Sequence, residues 1–488
     1  MSLINVTNLT FAYEGSYDNI FENVSFQIDT DWKLGFTGRN GRGKTTFLNL
    51  LLGKHEYSGR ISASVGFDYF PFRVEDRGQT TMEVVSTIVP DCAEWEIARE
   101  LSLLKVAEDA LERPFGSLPQ GEQTKVLLAA LFLKDNRFLL IDEPTNHLDK
   151  EARKIVGQYL RGKSGFILVS HDRAFLDRCV DHILSINKTD IEIQRGSFSD
   201  WLLNKQRQDS FELAENERLQ KDIKRLKESA RRTSGWSDLV EATKFGHGVP
   251  DRGYVGHKAA KMMKRSKAIE NRQQAAIEEK SKLLKNIETA ESLKLAQLPY
   301  HRGRLVELEH VSIRYGDRTV CTDVSFAIER GDRISLSGRN GSGKSSLIKL
   351  IRGEEIAYDG TFRLGSQLRI SYVSQDTSGL RGNLTDYARM RGIDESLFKA
   401  ILRKLDFARV QFEKDLADYS GGQKKKVLIA ASLSEQAHLL VWDEPLNFVD
   451  VISRMQIEEL LLEYEPTILF VEHDEQFACR IATKKVVL

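Results

Sequence analysis

The chain of 488 residues has no apolar run of 18 or more, the length that a membrane-crossing helix needs. Its longest apolar stretches, such as Val126–Phe132 and Phe166–Val169, suit buried strands or helix segments. The start, Met1-Ser2-Leu3-Ile4-Asn5-Val6, lacks the basic-then-apolar pattern of a signal peptide, so the expected compartment is the cytosol. Net charge is missing too. Lys and Arg number 71 and Asp and Glu number 71, so global charge selects no partner, and any nucleic-acid surface must come from local segregation. Cysteine is scarce: Cys92, Cys179, Cys321 and Cys479 are widely spaced, form no C-x-x-C pair, and read as buried free thiols. What remains is an ordinary globular mix, 41% apolar and 29% charged, long enough for two or three domains.

The chain repeats itself. Gly38-Arg-Asn-Gly-Arg-Gly-Lys44-Thr45-Thr46 returns as Gly338-Arg-Asn-Gly-Ser-Gly-Lys344-Ser345-Ser346. Ile141-Asp142-Glu143-Pro144 returns as Trp442-Asp443-Glu444-Pro445, and Ser170-His171-Asp172 as Glu472-His473-Asp474. Chance matches would not keep both order and spacing, so a whole domain is duplicated. The expected fold is α/β, two P-loop domains at 1–205 and 304–488 joined by a long helical hairpin over 206–303. Phe211–Ser229 and Lys261–Glu291 are charged and have apolar residues at helical spacing. Between them the glycines and proline of Ser234–His257 break the pattern, which predicts an irregular tip at about 234–258.

G-x-x-x-x-G-K-[ST] between a strand and a helix is a phosphate-binding loop. Gly38, Gly41 and Gly43, and likewise Gly338, Gly341 and Gly343, let backbone N–H groups wrap phosphates at a helix N-terminus, with Asn40 and Asn340 inside the loops. Lys44 and Lys344 are placed for the β- and γ-phosphates of ATP, followed by Thr46 and Ser346. Thr45 and Ser345 offer hydroxyls to Mg²⁺. Asp142 and Asp443 end apolar runs that read as buried parallel strands, where a carboxylate holds Mg²⁺. Glu143 and Glu444 stand next to polarise water. His171 and His473 follow short apolar strands and suit contact with the γ-phosphate. Tyr13 and Tyr315 precede their loops and have two readings, adenine stacking or ordinary core.

These motifs resemble the ATP-binding-cassette superfamily. The resemblance identifies Ser420-Gly421-Gly422-Gln423 as the signature loop of cassette two, and Leu118-Pro119-Gln120-Gly121-Glu122 as that of cassette one. It implies head-to-tail pairing within one monomer. Site one then joins Lys44 and Glu143 with Ser420 and Gly422, and site two joins Lys344 and Glu444 with Pro119 and Gly121. The loops Leu148-Asp149 and Val449-Asp450 are implied to meet at the interface. Gln375 is implied as a further Mg²⁺ ligand. Two departures make the sites unequal: Pro119 and Gln120 replace the usual serine and glycine, and Phe72 stands where Gln375 has its counterpart. Both glutamates remain, so hydrolysis is expected at both sites.

With no membrane span and with a charged hairpin between cassettes, the chain resembles the ABC-F family rather than transporters. DNA-repair cassettes, with zinc cysteines or very long coiled coils, fit no better. The quoted motifs, together with Phe211-Glu-Leu-Ala-Glu-Asn-Glu217, Met263-Lys-Arg-Ser-Lys267 and Trp442-Asp-Glu-Pro-Leu-Asn447, are most similar to its antibiotic-resistance branch, of Lsa type. Lys221–Glu270 carries 13 Lys or Arg against 6 Asp or Glu, which suits rRNA phosphates. The resemblance implies a cytoplasmic, ribosome-associated ATPase that enters the tRNA exit site of the bacterial ribosome beside P-site tRNA. Its tip would dislodge lincosamides, pleuromutilins and streptogramin A, with Trp236, Phe245, His247, Tyr254 and His257 as the side chains of interest, and hydrolysis would allow release. The alternatives are a housekeeping ABC-F factor that gates or rescues ribosomes without drug, and an ATPase serving a separate permease.

Overall fold

The computed structural model describes residues 2–13, 19–146, 148–187, 190–242, 264, 267, 272, 297–316, 318–339, 341–405, 407 and 409–488. Residues 1–201 and 292–488 form one compact unit, and residues 202–291 form a second.

In the first unit each cassette begins with an antiparallel three-stranded sheet. In cassette one, strand Leu3–Phe11 lies between Phe21–Asp29 and Ser58–Ser62. In cassette two, Arg304–Tyr315 lies between Arg318–Glu329 and Tyr358–Leu364. Alternation with a register shift sets the buried face: Ile4 and Val6 point inward before the shift and Leu9 after it, as do Val306 and Leu308 before and Val311 and Ile313 after the matching shift.

The second sheet of each cassette is mostly parallel and carries the chemistry. In cassette two the order is Ile370–Val373, Leu439–Asp443, Ile468–Val471, Arg333–Ser337, Lys484–Val487, all parallel. Cassette one repeats this order with Gly66–Phe70, Arg137–Asp142, Phe166–Val169, Lys33–Thr37 and His182–Asn187, then adds Asp190–Arg195 antiparallel at the edge. Strands buried on both faces must be apolar along their length. Phe138-Leu-Leu-Ile141 and Ile468-Leu-Phe-Val471 are buried throughout for that reason. On one such strand in cassette two, the Trp442 indole donates to Ser432 Oγ at 2.9 Å.

Thr80–Leu111 holds two short helices, Thr81–Ile88 and Glu94–Leu103, and a 3₁₀ turn at Glu108–Leu111. A capping box between Thr80 and Glu83 starts the first helix. Cys179 and Cys321 are buried free thiols and Cys92 is partly covered, but Cys479 is exposed, contrary to the sequence expectation. It follows Ala478 on the short helix Glu475–Ile481, whose buried side chains are Phe477 and Ile481.

Helix Phe198–Ala242 leaves cassette one. It continues through Ser234–Ala242, past the point where the sequence predicts the tip to begin. A lone glycine, Gly235, costs a helix only about 1 kcal/mol, and no proline interrupts this stretch. Phe245, His247, Tyr254 and His257 lie outside the described residues, as does the expected return helix apart from helical Lys264, Lys267 and Arg272.

Candidate functional site

Both phosphate loops arise from the same local physics. Strand Lys33–Thr37 ends, Gly38–Gly43 turns, and helix Lys44–Leu51 starts. Arg333–Ser337 and Lys344–Ile351 repeat the arrangement. Gly43 and Gly343 cap the helices at φ of 94° and 93°. A Cβ on Gly43 would lie 2.4 Å from Ile20 Cγ2, so only glycine fits. The helix N-termini direct unpaired N–H groups at the loop, a ready anion site. Asn340 lies outside the described residues.

Lys44 Nζ donates to the carbonyls of Gly38 (2.6 Å) and Arg39 (3.2 Å). Lys344 Nζ donates to those of Gly338 (2.9 Å) and Arg339 (2.8 Å). Burial lowers both lysine pKa values, opposed by Asp450, Glu143 and Asp142 for Lys44, and by Glu444, Asp443 and Asp149 for Lys344. Thr45 is exposed; its hydroxyl reaches Asp142 Oδ2 at 3.4 Å. Ser345 lies by Asp443, and its hydroxyl counters the upward push of burial on that carboxyl. Thr46 is buried, and its hydroxyl meets the Tyr13 hydroxyl at 2.9 Å. Tyr13 also stands edge-on to Phe11 and His55. Tyr13 and Tyr315 both remain about half exposed at the ends of their strands, so neither is ordinary core.

The two carboxylate ends differ. Glu143 and Glu444 share a left-handed backbone, φ 49° and 46°. Each faces a histidine: His171 Nε2 lies 3.4 Å from Glu143 Oε1 and His473 Nε2 lies 3.5 Å from Glu444 Oε1. Burial holds His171 well below the usual histidine range, with Lys44 and Arg454 pushing the same way, so its imidazole is neutral. Glu444 Oε2 accepts from Asn447 Nδ2 (2.6 Å) and Gln375 Nε2 (2.8 Å). Burial pushes this carboxyl up, but His473, Asn447 and Lys425 outweigh it and hold the group below its usual range. In cassette one Phe72 is exposed and has no donor to give. Glu143 Oε1 is buried without a hydrogen bond among the described residues. Burial, then the charge of Asp142, pushes Glu143 up to about 8.

The signature loops differ as well. Ser420 caps helix Gly421–Ser434, accepting from Gln423 N in a capping box. Pro119 caps helix Gln120–Phe132 with no side-chain bond. Across the cassettes, Asn40 Nδ2 donates to Phe448 O at 2.7 Å and Asn40 N to Asp450 Oδ2 at 3.3 Å. A Cβ on Gly422 would lie 2.3 Å from Asn40 Nδ2, so glycine permits this approach. Lys426 Nζ, 2.9 Å from buried Asp450, completes the contact. Lys344, Arg339, Gly338 and His473 instead border a cavity of about 570 Å³ with Asp149 and Lys150 of cassette one. Among the described residues lining it, Pro119 and Gly121 do not occur. The loop of cassette one thus sits against the signature and Asp450 of cassette two, while the loop of cassette two faces Asp149.

Sequence reasoning missed several groups. Tyr69 donates to Asp142 Oδ2 at 2.9 Å, and burial, then Asp142, pushes its phenol upward. Its repeat partner Tyr372 lies under the Arg352 guanidinium instead. Arg173 makes a buried ion pair with Glu458 across the cassettes and lies 3.8 Å from Asp474. Lys425, which donates to Ser374 O and Glu444 O, and Glu472, which accepts from Leu446 N and His473 N, were also missed, and their departure from the repeat was the available signal.

Tandem P-loop domains, each with a strand-end Asp-Glu pair and a facing histidine, define a nucleotide-hydrolysing protein. The family model described as ABC transporter matches residues 21–146 and 321–447, and the chain belongs to that family. It is an ATP-hydrolysing enzyme of ABC-F type. The chain is 28% identical to the ribosome protection protein VmlR of Bacillus subtilis, over all of this chain and 86% of that protein. It is 27% identical to the energy-dependent translational throttle protein EttA of Escherichia coli, over 95% of this chain and 88% of that one. The structure of an archaeal ribosome recycling factor, aABCE1, with stalk protein aP1 matches at TM-score 0.63 and 17% identity, over 98% of this chain and 87% of that one, which speaks to fold alone. Relatives named for different tasks match almost equally, so identity does not select the resistance branch or its Lsa type. No helix among the described residues is long and apolar enough to cross a membrane.

Proposed function

We propose that this ATPase acts on the bacterial ribosome in translation, as a cytoplasmic monomer whose cassettes pair over ATP and drive a helical arm. The observation that carries the reading is the 45-residue helix Phe198–Ala242 leaving cassette one, with an excess of basic residues along 221–270. A helix of that length spans roughly 65 Å, enough to reach deep into a large RNA assembly. Basic side chains on it would meet rRNA phosphates. The names of VmlR and EttA, one a ribosome protection protein and the other a translational throttle, support the same target. The broad reading is a factor that gates or rescues ribosomes, with the arm entering beside P-site tRNA at the exit site.

In each site we assign the same roles. The glycine loops, Lys44 and Lys344 bind the phosphates. Thr45 and Asp142 in one site, and Ser345, Gln375 and Asp443 in the other, present hard oxygen donors that fit Mg²⁺. Because the Gln375 amide nitrogen is engaged by Glu444, its carbonyl oxygen is the atom left for the ion. Bound there, Mg²⁺ would neutralise phosphate charge. Glu143 and Glu444 polarise water, His171 and His473 face the γ-phosphate, Tyr13 and Tyr315 cover the adenine, and Ser420, Gly421, Gly422 and Gly121 close the sites from the opposite cassette.

The sharper reading is drug displacement by the tip, against lincosamides, pleuromutilins and streptogramin A. The name of VmlR, a ribosome protection protein, keeps it beside the gating reading. One experiment separates the readings: ribosomes are pelleted with ATP and the Glu143→Gln/Glu444→Gln variant, with and without labelled lincomycin or tiamulin. Binding with drug release supports protection, and binding without release leaves the gating factor. Absence of ATP-dependent binding refutes a ribosomal role and favours an ATPase with another partner.

A further inference from the structure

Cassette two breaks the repeat at three neighbouring places around its catalytic carboxylate. Counting from the matched motifs, Thr124, Thr145 and Ser170 of cassette one give way to Lys425, Leu446 and Glu472. In cassette one these are small hydroxyls with local partners. Thr124 Oγ1 turns back to Gln120 O at 3.0 Å in its own helix. The hydroxyls of Thr145 and Ser170 lie 3.3 Å apart, and Ser170 Oγ accepts from Asp172 N at 3.2 Å.

In cassette two, two of these places hold opposite charges and the third a leucine. Lys425 is 1% exposed. Its Nζ donates to Ser374 O at 2.8 Å and to Glu444 O at 3.0 Å. One ammonium thus ties helix Gly421–Ser434 to the segment leading to Gln375 and to the backbone of Glu444. Glu472 Oε1 accepts from Leu446 N at 2.7 Å, and Oε2 from His473 N at 3.0 Å. Leucine at 446 has no hydroxyl, and Glu472 takes up the backbone N–H of that loop. Of the charges acting on Lys425, Glu472 attracts it most, followed by Glu444 and Asp443. Glu472 in turn has Arg454 as its leading counter-charge, and Lys425 also has Glu444 and Asp443, so the two groups are compensated within one site and are linked through the backbone around Glu444 that each holds.

We propose that Lys425 and Glu472 are a positioning pair that fixes Gln375, Glu444 and His473 of cassette two, a task that cassette one leaves to uncharged groups. The pair touches backbone on both sides of the site, and its work is geometric. Lys425 holds the Gln375 segment against the strand end, so that the Gln375 amide meets Glu444. Glu472 holds the loop after Glu444 against His473. The inference rests on the assignment of Glu444 as the water-polarising group.

The test is steady-state ATP turnover of the full chain. Lys425→Met keeps the length of the side chain and removes its donors; kcat is expected to fall about tenfold or more while KM for ATP stays within about twofold. Lys425→Arg is expected to recover most of the loss, since it restores donors and charge. Glu472→Ser should lower kcat as well. The triple variant Lys425→Thr/Leu446→Thr/Glu472→Ser, which carries the cassette-one set, should retain at least about threefold more activity than the product of the single effects. A folded Lys425→Met with wild-type kcat would overturn the proposal, as would losses that simply multiply. If Lys425→Met does not fold, Glu472→Gln carries the test, with a lowered kcat at unchanged KM expected and a wild-type kcat overturning the pair. Glu444→Gln is the reference. If turnover survives it, the assignment of Glu444 falls and the pair with it; if turnover drops while Lys425→Met remains active, only the positioning pair falls.

Discussion

The cassettes share sheet order, loop geometry and a left-handed glutamate, yet the two carboxylates sit in opposite electrostatic surroundings. Glu444 receives hydrogen bonds from Gln375 and Asn447 and is held ionised. Glu143 has a buried oxygen without a hydrogen bond among the described residues, and burial with Asp142 pushes it up to about 8. The signature of cassette two is a capped helix lying against Asn40, whereas that of cassette one begins with an uncapped proline. Duplication therefore preserved the frame while the polar groups around each carboxylate diverged. A few side chains beside a fixed loop suffice to make two sites unequal.

The largest effect should come from removing both carboxylates. Glu143→Gln/Glu444→Gln is expected to lower ATP turnover by about 100-fold or more, read as phosphate release, because each site loses its base. Turnover near wild type would remove the basis for comparing the carboxylates at all.

Next comes the bond between the cassettes. Arg173→Met leaves Glu458, which is fully buried, with the partly exposed Arg480 as its one guanidinium partner among the described residues. Breaking a buried pair costs about 3–5 kcal/mol, so a clear fall in the thermal midpoint is expected. Little change would mean that the cassettes do not depend on this contact.

The pH dependence separates the carboxylates by sign. Glu143 is raised in the fold, so the stability it contributes is present below the ordinary carboxylate range and is lost as pH rises through about 8. Glu444 is lowered, so its contribution is present above that range and is lost as pH falls through its lowered value. Thermal unfolding from about pH 5 to pH 9 should therefore show wild type losing ground to Glu143→Gln on the alkaline side. Glu444→Gln should show no such alkaline gain.

The smallest effect concerns the caps. Ser420→Ala removes the side chain that accepts from Gln423 N and should cost about 1 kcal/mol. Pro119→Ser supplies a hydroxyl and an N–H to cassette one and should raise the thermal midpoint slightly. If both variants leave stability unchanged, the caps do not distinguish the cassettes.

The α/β fold and its duplication were legible because phosphate loops, strand-end carboxylates and apolar strand runs are coded by local spacing. The loop lysines, the strand-end carboxylates and the histidines were legible for the same reason, whereas Gln375 and the phenylalanine at 72 in its place were implied by the family resemblance. Their partners were not. Tyr69 reaches Asp142, and Lys425 reaches Ser374 and Glu444, only because separate segments meet in three dimensions. Asn40 binds Phe448 and Asp450 more than 400 positions away. Helix Phe198–Ala242 outran its expected end because one glycine is a weak breaker where no proline follows closely. Local chemistry is written in the chain order, and electrostatic surroundings are not.

The most direct test of the inequality is ATP turnover near pH 7 of the single variants Glu143→Gln and Glu444→Gln in the full chain. The account predicts the larger loss for Glu444→Gln, since Glu444 is oriented by hydrogen bonds from Gln375 and Asn447 while Glu143 Oε1 has no hydrogen-bond partner among the described residues. Equal losses, or a larger loss for Glu143→Gln, would contradict it.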